Sequence, residues 1–228
     1  MRSALLARVR SALQAAADPI KAPQMRAYMK SAMPYHGVPT PLMRRICREL
    51  FADLEYAAPA AWKGEMLALW RGAKFREERY AALNLAAHRS SRPFQTPDAM
   101  PLYEELIVTG AWWDYVDDIA SHRVGTILRA HPDALKPMMR SWSRSANLWK
   151  RRTSIICQLG SKREIDLKLL YDCIEPSIGS SEFFLRKAIG WALRQHAWVD
   201  PGEVRRYVKA HDALSPLSKR EALKNVGR

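Results

Sequence analysis

Apolar residues recur at steps of three and four along nearly the whole chain. No stretch alternates as a half-buried strand would. Leu5, Leu6, Val9 and Leu13 fall on one stripe of a first helix expected over Arg2–Ala17. A short helix over Ala22–Ala32 follows Pro19. A third is expected from Thr40 to about Leu54, with Thr40 as N-cap, Pro41 in the first turn, and Ile46, Leu50 and Leu54 on its buried side. Pro59 opens a helix to about Trp70 that turns Leu67 and Trp70 inward, and Glu77–His88 runs to a polar loop at Arg89–Gln95. Thr96-Pro97 restarts the chain by the same cap-then-proline device, leading into Pro101–Val108. Asp114–Arg129 is stopped by His131-Pro132. Ala134–Arg144, Leu148–Leu159, Asp166–Ile174, Glu182–Ala197, Glu203–His211 and Ser218–Val226 complete the set.

About a dozen helices of roughly three turns, joined by short loops, recur in pairs every 35–45 residues or so, the range of HEAT and armadillo repeats. The expected fold class is therefore all-α: a curved α-solenoid of HEAT-like helical repeats with a concave basic face, rather than a compact bundle. No linker or low-complexity tract interrupts the pattern, so residues 1–228 are expected to form a single domain.

Charge narrows the partner. The 228 residues carry a formal net charge of +14 with 48% hydrophobic residues, so the chain folds and yet is strongly cationic throughout. Lys and Arg recur along the whole length, which favours a polyanion: nucleic acid before an anionic membrane surface. The three cysteines, Cys47, Cys157 and Cys173, have no paired spacing and sit among apolar residues, as reduced buried thiols do. The acid-free Met1–Ala17 superficially resembles an organelle transit peptide, but its apolar stripe reads as an ordinary first helix. The expected setting is cytoplasmic. No apolar run is long enough to span a bilayer.

Several chemistries find no support. None of His36, His88, His122, His131, His196 and His211 pairs with another at ligand spacing or neighbours a cysteine, so no metal is expected. There is no phosphate-binding glycine loop, dinucleotide fingerprint or nucleophile elbow, and no cofactor is expected.

Three stretches stand out. In Trp112-Trp113-Asp114-Tyr115-Val116-Asp117-Asp118, helical spacing puts Trp113 and Asp117 on one face, and Asp118 within reach of His122. A helix start with core tryptophans would account for any one of these residues alone. Asn147-Leu148-Trp149-Lys150-Arg151-Arg152 places three cations at a helix start, against the helix dipole; a solvated face is the usual reading of such a run, but its unfavourable place suggests a compensating anion such as a phosphate. In Ser181–Arg194, Ser181 is a possible cap; Phe184, Ala188 and Trp191 share a face flanked by Lys187 and Arg194. Gly190 in a helix interior hints at close approach of a backbone or a ligand.

With these stretches on view the chain resembles the AlkD-type DNA alkylation repair enzymes, the HEAT-like-repeat DNA glycosylases. The likeness lies in Glu105-Leu106-Ile107-Val108-Thr109, Trp112-Trp113-Asp114 and Val116-Asp117. It continues in Asn147, Trp149 and Arg152, in Glu182-Phe183-Phe184 with Lys187-Ala188-Ile189-Gly190-Trp191, and in Pro216–Ala222. Tyr28-Met29-Lys30 and Thr40-Pro41 are similar as well, so the likeness runs the length of the chain.

The resemblance implies hydrolysis of the N-glycosidic bond of N3- and N7-alkylated purines in double-stranded DNA; a monomer is the default expectation. It assigns the catalytic carboxylate to Asp117 and the two tryptophans that embrace the damaged nucleotide to Trp113 and Trp191. Arg152 falls on a phosphate-contacting arginine, with Arg194, Arg44 and Tyr28 as further DNA contacts. The segment Val38–Met43 departs from the family, whose members carry polar and charged residues there.

Such lesions carry a positive charge and leave without a general acid, so one carboxylate can serve where ordinary glycosidases use two. Three rivals remain on the residues alone. One is a non-catalytic solenoid that binds distorted or branched DNA, another is a scaffold for an acidic protein, and the third is an RNA-binding repeat protein.

Overall fold

The computed structural model describes residues 3–226, and Arg2 of the expected first helix lies outside that range. Among the described residues there are fourteen α-helices and no strand. The chain is all-α, consistent with an α-solenoid. Two compact units are distinguished, residues 1–95 and 96–228.

The first unit contains α1 (Ala4–Ala15), α2 (Lys21–Tyr28), α3 (Thr40–Phe51), α4 (Pro59–Arg71) and α5 (Arg76–Ala87). As expected, Leu5, Leu6, Val9 and Leu13 of α1 are buried. On α3 the core stripe is Met43, Cys47 and Phe51 rather than Ile46, Leu50 and Leu54, and Thr40 makes no cap. The helix starts one residue earlier than a Thr40 cap requires, with Pro39 in the N-cap place. The expected Ala22–Ala32 helix stops at Tyr28, because Lys30 takes the left-handed conformation (φ 48°). No residue of α2 is buried. The expected loop at Arg89–Gln95 winds instead into a 3₁₀ turn, Arg89–Phe94.

Two buried carboxylates lash this unit together. Glu77 accepts the backbone N–H groups of His36, Gly37 and Val38 at 2.9–3.1 Å. Glu78 accepts Arg10 Nε at 2.7 Å and Lys74 N–H at 2.7 Å. Burial works against the Glu78 charge, but Arg10 and the Lys74 amide outweigh it and hold the carboxyl below its usual value.

The second unit contains α6 (Met100–Gly110), α7 (Trp113–Asp118), α8 (Gly125–Ala130), α9 (Pro132–Ser143), α10 (Leu148–Ile156), α11 (Leu167–Ile174), α12 (Phe183–His196), α13 (Pro201–Ala210) and α14 (Pro216–Ala222). Successive helices pack on near neighbours in chain order: α6 on α7, α8 on α9, α9 on α10, α10 on α12, and α12 on α14. Side chains of Asn147, Asp166, Asp200 and Ser215 cap α10, α11, α13 and α14. Neither Thr96 nor Ser181 acts as the cap expected of it: Thr96 makes no cap bond, and α12 starts behind Glu182.

The helix expected over Asp114–Arg129 runs without a break from Trp113 to Ala130 but carries a π-helical turn, Ile119–Val124, between α7 and α8. The Gly125 N–H bonds the Ala120 carbonyl five residues back, the mark of that turn. All three cysteines are free and buried, as expected, and burial pushes the Cys47 and Cys173 thiols up to about 12. Among the described residues no group of three or more His, Cys, Asp or Glu could hold a metal, and no helix is long and apolar enough to cross a membrane.

Candidate active site

The chain reverses between α6 and α7 at Ala111, a non-glycine residue in the left-handed conformation (φ 44°). Such a residue stores of order 1 kcal/mol and persists only where its surroundings hold it. The reversal delivers Trp112 and Trp113 to the start of α7. Asp114 lies in its first turn, where an acid suits the dipole. Asp117 follows one turn later, on the same helix as Trp113.

Asp117 meets α10. Arg152 Nε donates to Asp117 Oδ1 and Arg152 Nη2 to Oδ2, both at 2.7 Å, while Arg152 Nη1 donates to the Phe184 carbonyl of α12. The side chains are 5% (Arg152) and 15% (Asp117) exposed, so this is a nearly buried, bidentate pair. Burial pushes the Asp117 carboxyl above its usual value, Arg152 pulls it back, and the nearby Asp114 charge adds to the rise. The paired guanidinium favours the charged form against that burial, and the net result is a higher proton affinity than a solvated aspartate has.

The start of α10 explains the rest of the Asn147–Trp149–Arg152 pattern. The Asn147 side chain accepts the Trp149 and Lys150 N–H groups at 3.0 and 3.1 Å and fixes where the helix begins. Trp149 then packs in an aromatic cluster, with ring centroids 6.3 Å from Trp112 and 5.0 Å from Phe184, and Phe184 lies 5.5 Å from Trp112. The three consecutive cations all find partners within the unit. Lys150 pairs with Glu104 at 2.6 Å, Arg151 donates to Ser177 Oγ and the Pro176 carbonyl, and Arg152 holds Asp117. The anions that offset the helix dipole here are carboxylates of the protein itself.

Trp191 sits half-buried on α12, packed against the core of the second unit. Gly190 beside it answers to a backbone rather than a ligand. A Cβ there would lie 2.5 Å from Glu221 Cβ and 3.0 Å from the Ser218 carbonyl, so α14 can seat against α12 only over a glycine. The Glu221 carboxylate, 5% exposed, gathers Arg194 at 2.7 Å, Lys224 at 2.7 Å and Lys187 at 3.2 Å. Lys224 first, and Lys187 with it, hold Glu221 below its usual value against the effect of burial. Three cations on one carboxylate leave a surplus of positive charge beside Trp191. Neither Glu221 nor the Phe184 carbonyl stood out in the sequence, since each acts through partners far along the chain.

The structure thus brings Asp117 and Arg152 into contact, and Arg152 links Asp117 to the start of the helix that bears Trp191 and Arg194. Tyr28 and Arg44 belong to the first unit. Tyr28 is 79% exposed at the end of α2, and Arg44 is exposed on α3.

A search of curated proteins finds no match. A solved structure described as a predicted DNA alkylation repair enzyme from Enterococcus faecalis is similar, with 28% identity and a TM-score of 0.77 over 93% of this chain and 97% of that one. The profile of the DNA alkylation repair enzyme family matches residues 9–226, across both units. The chain carrying this carboxylate–guanidinium pair belongs to the DNA alkylation repair enzyme family.

Proposed function

We propose that the protein is a DNA glycosylase, acting as a monomer, that removes cationic N3- and N7-alkylated purines from double-stranded DNA, with Asp117 as its catalytic carboxylate. One observation carries the reading: a mostly buried carboxylate, aligned by two guanidinium hydrogen bonds, stands on the Trp-Trp-Asp helix of a cationic repair-family protein.

In the proposed reaction the bond between C1′ and the purine nitrogen breaks. Its electron pair leaves with the base, which becomes neutral, and positive charge appears on the sugar as an oxocarbenium ion. The Asp117 carboxylate stabilises that charge, and the faces of Trp113 and Trp191 add cation–π attraction. Water adds to C1′ and gives up a proton, for which Asp117, with its raised proton affinity, is the nearby acceptor. A carboxylate offers about four lone-pair directions and Arg152 uses two, so room remains for the water. Arg152 serves first as the partner that orients Asp117. Phosphates fall to Arg194, Arg44 and the wider cationic surface, with Tyr28 as an exposed contact, giving binding with little sequence preference and a steep salt dependence.

The mechanism has no acid to assist departure, so it predicts selectivity. Duplex DNA carrying 7-methylguanine should lose the base, whereas a neutral lesion such as uracil in the same sequence should be retained. Equal release of both would contradict an electrostatic carboxylate mechanism.

A second reading is a non-catalytic sensor of distorted duplex. The observation in its favour is that both Asp117 oxygens are already engaged by Arg152 in the free protein. It predicts tight duplex binding with no base release.

A further inference from the structure

The helix from Trp113 to Ala130 meets α10 at two points, not one. At the first, Asp117 pairs with Arg152. At the second, Gly125 lies against the carbonyl of Cys157, the residue that ends α10: a Cβ on Gly125 would stand 2.3 Å from that oxygen. Both contacts must come from the same side of the helix. Gly125 is eight residues after Asp117, and in an unbroken α-helix it would point about 80° away. A π-helical turn absorbs one extra residue, so Gly125 takes the direction of a seventh neighbour, about −20° from Asp117. The burial pattern records the same insertion. The buried pairs begin at Tyr115, Ile119, Val124 and Ile127, steps of four, five and three.

We propose that Gly125 and the π-helical turn Ile119–Val124 form a positioning device that sets the spacing of this helix from α10 and thereby seats Asp117 on Arg152. The role assigned to Asp117 under the glycosylase reading makes the device matter for catalysis, but its geometry stands apart from that reading. Gly125 is a positioning residue: it touches neither base nor sugar and acts only through the two helix backbones. Two hydroxyls support the turn, Ser121 Oγ donating to the Asp117 carbonyl at 2.6 Å and Thr126 Oγ1 to the His122 carbonyl at 2.7 Å. The charged groups around the Asp117 carboxyl are Asp114 from its own helix and Arg152 from α10, with the Phe184 carbonyl of α12 fixing the guanidinium from behind.

An alanine at 125 must move its Cβ from 2.3 Å to an ordinary carbon–oxygen contact of about 3.3 Å, so the helix retreats by about 1 Å. The obstacle is a main-chain carbonyl, which no rotamer change can clear. A retreat of that size stretches the bidentate pair and misplaces the carboxylate.

The test follows the Asp117 carboxyl by ¹³C NMR titration of the full-length, DNA-free protein, beside single-turnover release of 7-methylguanine from duplex DNA. In folded Gly125→Ala the Asp117 titration should move up by about one pH unit or more as Arg152 loses contact. Base release should fall on the order of 10²-fold while duplex binding holds. A second variant deletes His122, an exposed residue of the turn. It should fold as an unbroken α-helix with Asp117 and Gly125 seven apart on one face, and its Asp117 titration should match wild type. Folded Gly125→Ala with a wild-type titration overturns the proposal, and so does a His122 deletion that unfolds or shifts the titration. Should Gly125→Ala fail to fold, the deletion alone decides. Absence of base release by the wild type would remove the glycosylase reading only, since the titration needs no activity.

Discussion

Arg152→Met is the perturbation that most directly weighs the buried pair. It keeps an unbranched apolar stem and removes three donors: two that serve Asp117 at 2.7 Å and one that serves the Phe184 carbonyl. The carboxyl left behind is largely buried and has only Asp114 as a charged neighbour, which repels it. Losing a direct guanidinium partner raises a carboxyl pKa by roughly two to three units, and at 1.36 kcal/mol per unit this is about 3–4 kcal/mol at neutral pH. That agrees with the 3–5 kcal/mol or so expected when one member of a buried pair is removed. The lost bond to Phe184 adds about 1 kcal/mol at any pH.

The sign of the pH dependence follows. Without Arg152 the folded-state pKa of Asp117 lies far above the unfolded value near 3.8, so this group's contribution is fully present below that value and is lost as pH rises through the folded pKa. Urea unfolding of wild type and Arg152→Met at pH 7.5 and pH 4.5 therefore should give a destabilisation of about 4–5 kcal/mol at the higher pH, shrinking toward about 1 kcal/mol at the lower. A cost below about 1 kcal/mol at pH 7.5, or the same cost at both pH values, would refute the picture of a buried charge that depends on Arg152.

Three further outcomes are expected. Glu77→Gln replaces an acceptor of three backbone N–H groups by an amide that presents a donor to some of them. The cost should be on the order of 2–4 kcal/mol in the first unit, with faster amide exchange at His36, Gly37 and Val38; unchanged exchange there would count against the lashing role. Gly190→Ala should cost about 2–3 kcal/mol and loosen α14 from α12, read as earlier proteolysis within Pro216–Ala222, and wild-type resistance would mean that α14 has room to spare. His196 is buried, neither ring nitrogen has a protein partner, and burial holds its pKa below the ordinary 6.5 against the pull of Asp200 and Glu203. The stability it contributes is present above pH 6.5 and is lost as pH falls through the folded value, so His196→Leu should flatten the fall in urea midpoint below that pH; an unaltered slope would exonerate His196.

The helical class was readable because most of the helices, though not α2, show a core stripe at helical period. Leu5, Leu6, Val9 and Leu13 could be placed inside from spacing alone. On α3 the same logic points to Ile46, Leu50 and Leu54 over Met43, Cys47 and Phe51, two apolar stripes only about 60° apart on the wheel, and Leu54 falls beyond the end of the helix. The π-helical turn left a trace in the sequence, the step of five between Ile119 and Val124, but a single odd step is easily absorbed into an α-helical reading. The tryptophan–aspartate stretch drew attention by local density.

Its chemistry did not stay local. Asp117 and Arg152 lie 35 residues apart, and helical spacing carries no information at that range. Of the cations Lys150, Arg151 and Arg152, the first and last pair with carboxylates, while Arg151 is satisfied by a hydroxyl and a carbonyl. Their partners, Glu104, Ser177 and Asp117, come from other helices, so a phosphate looked like the nearest answer. Gly190 signalled a close approach without saying that Ser218 and Glu221 make it.

The central claim is tested most directly by base release from duplex DNA carrying 7-methylguanine, wild type against Asp117→Asn, with DNA binding followed alongside. The account predicts excision by wild type, a loss of roughly two orders of magnitude in the variant, and duplex affinity kept. Excision by Asp117→Asn at the wild-type rate, or tight binding with no release by either protein, would contradict it.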